Sequence, residues 1–269
     1  SHRAPDPEIL SMIFDFAAQP ATFIARPNRY VVHAQLASGE VIVAHCADPG
    51  RLAELLLPGV RVHVSPAAPP RANAPPRKTG WDLRFVEHPA NGRLVSLDTR
   101  VPNALFAEGL AAGFFSEIAD YASLYEVRRE VPLPLAVKVY QSAATPHSRA
   151  DFRLTHHDGS RTWVEVKSAS LVVDGVARFP DAVTARGRRH VLELAALARA
   201  CTRSAIVFIV QRPDAHALEA FRATDPAFAA ALDEAHAAGV IIRAATCQVT
   251  THAIWLDRQI PVCVGSTDV

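Results

Sequence analysis

The stretch Ser148–Leu171, SRADFRLTHHDGSRTWVEVKSASL, holds two runs of strand-forming residues on either side of the turn residues HHDGS, 156–160. Alternate residues of a strand share a face, so Glu165 and Lys167 continue the row begun by Trp163, while Val164 and Val166 point the other way. Asp151 stands at the head of the preceding run. The turn makes the two strands antiparallel neighbours, which predicts that three ionisable groups meet at one edge of a sheet. E-x-K on an exposed strand is also a routine salt-bridge pattern. The apolar setting of WVEVK argues against that reading, because unpaired charge in a central strand is costly.

Two carboxylates held close repel each other and raise one pKa unless a cation sits between them. Mg²⁺ or Mn²⁺ suits such hard oxygen ligands, with water filling the remaining positions. A lysine beside the metal can orient or help deprotonate a water and can stabilise charge growing on a phosphate oxygen. Asp151 and Glu165 are therefore candidate metal ligands and Lys167 a candidate catalytic group, in a pattern that fits phosphodiester cleavage better than acyl transfer.

Outward from this pair, FPDAVTARGRRHVLELAAL (179–197) predicts a helix from about Asp181 to Ala200, with Asp181 near its first turn. Arg186, Arg188, Arg189 and His190 cover one stretch of it, while Val191, Leu192 and Leu194 turn inward. A basic helix beside an acidic site suits a polyanionic substrate; taken alone it would be a solvated face. YEVRREVPL (125–133), ADFRLTH (150–156) and TWVEVKSASL (162–171) read as strands, SAIVFIVQ (204–211) as a buried strand, PAFAAALDEAHAAG (226–239) as a helix capped at Gly239, and VIIRAATCQV (240–249) as one more strand. Strands followed by alternating helix and strand predict a mixed α/β (α+β) sheet with helices on its faces.

Nearer the start, TFIARPNRYVVHAQL, EVIVAHC, VRVHVSP, DLRFVEH and RLVSLDT predict five short strands with a helical interruption at PGRLAELL (49–56), suiting a small OB-like β-barrel. The Pro-rich piece Ser65–Lys78 predicts an extended surface loop between two of them. A change of character after Pro102, where NALFAEGLAAGFFSEI takes helical spacing, places the domain boundary there: 15–102 as the barrel and 103–269 as the mixed-sheet domain.

The chain has 269 residues, 49% hydrophobic and 20% charged, and a formal net charge of +1, so any nucleic-acid contact must be a patch or groove. The single cysteines Cys46, Cys201, Cys247 and Cys263 form no CxxC pair and predict reduced, mostly buried thiols. Histidines such as His33, His45, His63 and His252 lack HxH or HExxH spacing, so structural zinc is not expected, and the His156–His157 pair reads as solvent-exposed. The opening residues do not have the pattern of a signal peptide and no apolar run reaches ~18 residues, giving an expectation of a cytoplasmic protein without membrane contact.

SRADF, WVEVKSASL, FPDAVTARGRRHVLEL, IVFIVQRPDA, TDPAFAAALDEAHAAGV and LDTRVPNAL occur in order along the chain, and together they resemble the sugar fermentation stimulation protein family, SfsA. The resemblance runs from about Phe23 to Val249, and FPDAVTARGRRH is its most specific part. It implies an OB-like domain joined to a PD-(D/E)XK restriction-endonuclease-like domain, DNA binding (with RNA as an alternative), and Mg²⁺-dependent nuclease activity. By position it makes Asp151 and Glu165 the metal-binding carboxylates and Lys167 the catalytic lysine. Glu130 in RREV matches the acidic residue ahead of the core, with Glu126 as a rival. Arg186 or His190 would be the polar residue added by the following helix.

The loop CADPGRL brings Asp48, Pro49, Gly50 and Arg51 toward ligand, though the Asn usual in this motif is missing. Arg51, Arg149, Arg186, Arg188 and Arg189 are the candidate nucleic-acid contacts, with Tyr30 or Trp81 as stacking aromatics. The segment Pro132–His147 is longer than expected and would form a hairpin beside the site. A homodimer is a further expectation. The rival function is a non-catalytic DNA-binding regulator of sugar (maltose) metabolism genes. Hydrolysis of a small phosphorylated metabolite ranks last, because no Gly-rich phosphate loop is present.

Overall fold

The computed structural model describes residues 11–69, 77–134 and 148–265. After a short strand β1 (Met12–Ile13), the chain forms β2 (Gln19–Asn28), β3 (Val31–Leu36), β4 (Val41–Cys46), β5 (Arg61–Pro66), β6 (Trp81–Glu87) and β7 (Leu94–Ser96). Five of these run in the order β4-β3-β2-β5-β6, and a parallel pairing of β4 with β6 closes them into a barrel to which β7 is added. Closure leaves no free edge between the five strands. The inward residues are alternate positions such as Val32, Ala34, Ile42, Ala44, Val62 and Val64, all buried.

One expected element of this domain does not form. PGRLAELL makes a single turn closed by the Leu55 and Leu56 N–H groups on the Leu52 carbonyl rather than a helix. Leu52 has φ of 51°, a left-handed backbone that stops helical propagation, and Leu52, Leu55 and Leu56 all plug the barrel core. The Pro-rich stretch links β5 to β6 in chain order, and its residues 70–76 lie outside the described residues.

The second half contains α1 (Val101–Ala111), β8 (Leu124–Pro132), β9 (Arg149–His156), β10 (Arg161–Ala169), β11 (Val172–Val173), β12 (Val176–Phe179), α2 (Ala185–Arg199), β13 (Arg203–Val210), β14 (Ala217–Ala220), α3 (Pro226–Ala237), β15 (Ile241–Val249), β16 (Ala253–Ile260) and β17 (Val262–Cys263). The main sheet has the order β1-β16-β15-β13-β10-β9-β8, with β10, β13 and β15 parallel and the outer pairings antiparallel. Parallel central strands are covered on both faces. Trp163, Ile206 and Phe208 pack with Val191 and Leu194 of α2 and Phe228 of α3, while Phe152, Val164, Val166 and Val207 pack with Leu105 and Phe106 of α1. β11, β12, β14 and β17 form a separate small sheet that sequence patterning did not anticipate, as their runs are too short to show a period.

Several expectations need correction. Helix α2 starts at Ala185, because the Thr184 hydroxyl accepts the Gly187 N–H at 3.0 Å and caps it; Asp181 lies outside the helix. Cys46 and Cys247 are buried but Cys201 and Cys263 are exposed. His156 is half-buried, its ring held by Ser123 Oγ at 3.2 Å and Thr162 Oγ1 at 2.9 Å. Trp81 packs against the barrel core, which removes it as a free stacking platform. Residues 135–147, where a hairpin was expected, lie outside the described residues.

Candidate active site

β10 stays paired with β13 as far as Ala169↔Val210, but its ladder with β9 ends at Val164↔Phe152. Beyond that point the backbone N–H of Val166 needs another acceptor. Asp151 supplies it: its Oδ2 accepts from Val166 N at 2.8 Å, and its Oδ1 accepts from Asn103 Nδ2 of α1 at 3.3 Å. The parting of the two strands thus fixes one carboxylate at the head of a cleft of about 470 Å³.

Glu165 lies in the same cleft, buried, with its Oε1 accepting from Lys167 Nζ at 2.5 Å and facing His190 Nδ1 at 2.6 Å. Burial alone would raise the Glu165 pKa, but the Lys167 ammonium and then the His190 hydrogen bond outweigh it and hold the carboxyl down at about 2. Asp151 behaves oppositely. Burial first, and then the Glu165 charge, push it up to about 6 against the pull of the Val166 N–H, Lys167 and Asn103. The two carboxylates are therefore close enough to repel, and one lysine stands beside both.

This donor set fits a hard divalent cation. Among the described residues no cluster of three His, Cys, Asp or Glu is placed to hold a metal. Asp151 and Glu165 are the residues that would hold such a cation, and with so few protein ligands it would keep several waters, as Mg²⁺ does.

The remaining sequence candidates separate into two groups. Glu130, Arg149 and Arg186 line the cleft. Glu130 has φ of 53°, a left-handed conformation that costs roughly 1–3 kcal/mol in a non-glycine residue and tends to persist at functional positions. Asp48, Pro49 and Gly50 line it from the barrel side, and Arg51 is exposed beside them. Arg188 is exposed away from the cleft, and Arg189 turns back to Ser148 Oγ at 3.3 Å and to the buried Glu193 at 3.8 Å. Glu126, the rival to Glu130, is taken by Arg128 at 2.7 Å and Arg153 at 2.8 Å and does not reach the cleft.

Sequence reasoning missed Asn103 as the group that orients Asp151. It also missed Asp181, whose Oδ2 accepts the Leu52 N–H at 3.1 Å and so joins the barrel to the second domain. Both lie inside stretches that were singled out, LDTRVPNAL and FPDAVTARGRRH, but no local pattern shows a contact across 129 positions.

Residues 100–253 match the family described as "Sugar fermentation stimulation protein RE domain", and residues 24–97 match "SfsA N-terminal OB domain". The chain belongs to the SfsA family. The sugar fermentation stimulation protein homolog of Moorella thermoacetica is 44% identical over 230 residues, covering 85% of this chain and 89% of its own. That of Ectopseudomonas mendocina is 38% identical over 253 residues, covering 93% and 99%. Among solved structures, Pyrococcus furiosus SfsA, described in complex with Ca²⁺, is 27% identical and aligns with a TM-score of 0.78 over 94% of this chain and 98% of that one. The SfsA likeness extends across both halves, so the barrel and the Asp151 cleft are parts of one family architecture. No helix among the described residues is long and apolar enough to cross a membrane.

Proposed function

We propose that this SfsA protein is a divalent-metal-dependent nuclease that hydrolyses phosphodiester bonds in DNA or RNA. The observation that carries this is the pair of half-buried Asp151 and buried Glu165 with Lys167, set where β9 and β10 part at the floor of an open cleft. In this reading the second domain is of the PD-(D/E)XK type, with the division from the barrel near residue 102. The Ca²⁺ named for the Pyrococcus furiosus relative is a hard divalent cation of the kind these oxygen ligands suit.

Asp151 and Glu165 would hold Mg²⁺ or Mn²⁺, which when bound supplies Lewis-acid stabilisation of the phosphate and acidifies a water. Lys167, placed 2.5 Å from Glu165 and close to Asp151, orients that water and carries positive charge toward the scissile phosphate. Arg149 and Arg186 at the cleft wall engage neighbouring phosphates. Asn103 holds the Asp151 carboxylate in position, and His190 does the same for Glu165.

One observation favours a second reading, a nucleic-acid binder without turnover: Glu165 Oε1 is already claimed by both Lys167 and His190, so a cation must compete for it. Cleavage of labelled single- and double-stranded DNA and RNA with Mg²⁺, Mn²⁺ or EDTA separates the two. The nuclease reading expects cutting with metal and none in EDTA, and a loss of about 10²–10⁴-fold in Lys167→Ala, the range for a group moving or orienting a reacting proton. Binding of all four substrates by wild type without cutting, or equal cutting by Asp151→Ala and Lys167→Ala, sinks it.

A further inference from the structure

A second cleft of about 570 Å³ opens on the barrel, next to the Asp151 cleft. The two share Thr99 in their walls. They also divide adjacent residues between them: Tyr30 and Ala47 line the barrel cleft, while Arg29 and Asp48 line the other. Thr99 Oγ1 donates to the Ala47 carbonyl at 3.3 Å, so the shared wall is a fixed point where the end of the barrel meets the approach to α1.

The barrel cleft has the two features that single strands need. One is charge: Arg77, Lys78, Arg84 and Arg100 line it against only Asp82 and Asp98. Arg84 is buried and ties both carboxylates, at 3.2 Å to Asp82 and 3.1 Å to Asp98; Arg77 also pairs with Asp82 and Arg100 with Asp98 at 2.5 Å, whereas Lys78 is exposed at the rim and joins none of these pairs. The other is an aromatic face. Tyr30 is 48% exposed and lies nearly parallel to His45, with ring centroids 6.3 Å apart and 17° between planes. Both rings line the cleft, and about half of the Tyr30 surface is open to solvent. A base can stack on such a face only when it is not already stacked within a duplex, and stacking of this kind is sequence-tolerant.

We infer that the two clefts form one track for a single strand of nucleic acid: a base stacks on Tyr30, Lys78 holds a backbone phosphate, and the strand passes Thr99 into the Asp151 cleft. The direction of the track rests on the nuclease reading; the single-strand surface does not.

The test is fluorescence anisotropy in EDTA, where metal-dependent cutting is silent, with a fluorescein-labelled oligothymidylate alone and annealed to its complement. Cleavage with Mg²⁺ is scored separately. Wild type binds the single strand more tightly than the duplex. Tyr30→Ala weakens single-strand binding by about tenfold or more, as loss of one stacked base predicts, and Tyr30→Phe keeps it. Lys78→Glu weakens binding and flattens its dependence on salt. Single-strand binding by Tyr30→Ala equal to wild type, or preference for the duplex, overturns the inference even if the protein cuts. Tyr30-dependent binding without any cutting by wild type supports the single-strand surface and rejects the nuclease reading.

Discussion

Two groups of carboxylates, each pairing a buried residue with a half-buried one, line the Asp151 cleft, and they are wired differently. On one side Asp151 and Glu165 sit with Lys167 and His190. On the other, Asp48 accepts the Gly50 N–H at 2.8 Å and the Ser170 hydroxyl at 3.2 Å, while Asp181 accepts the Leu52 N–H. Arg26, the cation whose charge acts on Asp48, spends its guanidinium on the backbone carbonyls of Arg29, Asp48, Gly50 and Arg51. The Asp48–Asp181 group therefore fastens loop to sheet with neutral donors. In the other group Asp151 also takes neutral donors, Val166 N–H and Asn103, but Glu165 is held by a lysine and a histidine, whose place a cation would have to take. Similar residue types make a latch in one place and the proposed metal site in the other.

The sharpest way to break this contrast is to remove one carboxylate from each group. Asp151→Asn should lower metal-dependent cleavage by about 10²-fold or more while leaving thermal unfolding in EDTA little changed. Asp48→Asn should do the reverse and keep cleavage within a few-fold of wild type.

The same pair share a pH dependence, because burial pushes both Asp151 and Asp48 up to about 6, so single substitutions are needed to separate their contributions. Burial, and then the Asp181 charge, raise the folded Asp48 pKa from 3.8 to about 6. A group raised in the folded state contributes stability that is fully present below pH 3.8 and is lost as pH rises through about 6. Wild type should therefore lose up to roughly 3 kcal/mol between pH 4 and pH 7 from this group, and Asp48→Asn should remove that part of the slope in urea unfolding. An unchanged slope in the variant would show that Asp48 is not the protonated group.

A steric test is smaller. A Cβ at Gly50 would stand 2.5 Å from Asp181 Oδ1, so Gly50→Ala should push the latch apart and cost about 1–3 kcal/mol, read as a lower melting temperature. The smallest change is expected outside both groups. Arg128, whose side chain is exposed and paired with Glu126, should contribute less than about 1 kcal/mol, and Arg128→Ala should leave both cleavage and melting unchanged within error.

Much of the candidate site was legible because its residues lie close in sequence and strand geometry is periodic. Glu165 and Lys167 had to share a face, and the HHDGS turn had to bring Asp151 alongside. The family resemblance was equally local, resting on strings such as FPDAVTARGRRH. The misreadings share a cause. PGRLAELL has helical composition, yet the barrel needed three of its leucines in the core. Asp181 has the position of a helix-start residue, yet a distant backbone N–H claimed it.

The sequence by itself determined the longer strands and helices, the change of character between the two halves and the pairing of Asp151 with Glu165, because period, turn chemistry and short spacing act within one or two elements. Only the tertiary structure decided that Asn103 orients Asp151, that His190 faces Glu165 rather than solvent, and that Asp48 and Asp181 bind the barrel to the sheet. Those contacts join residues 48, 25, 122 and 129 positions apart. They exist because buried polar groups must find partners wherever packing brings donor and acceptor together, which no local pattern specifies.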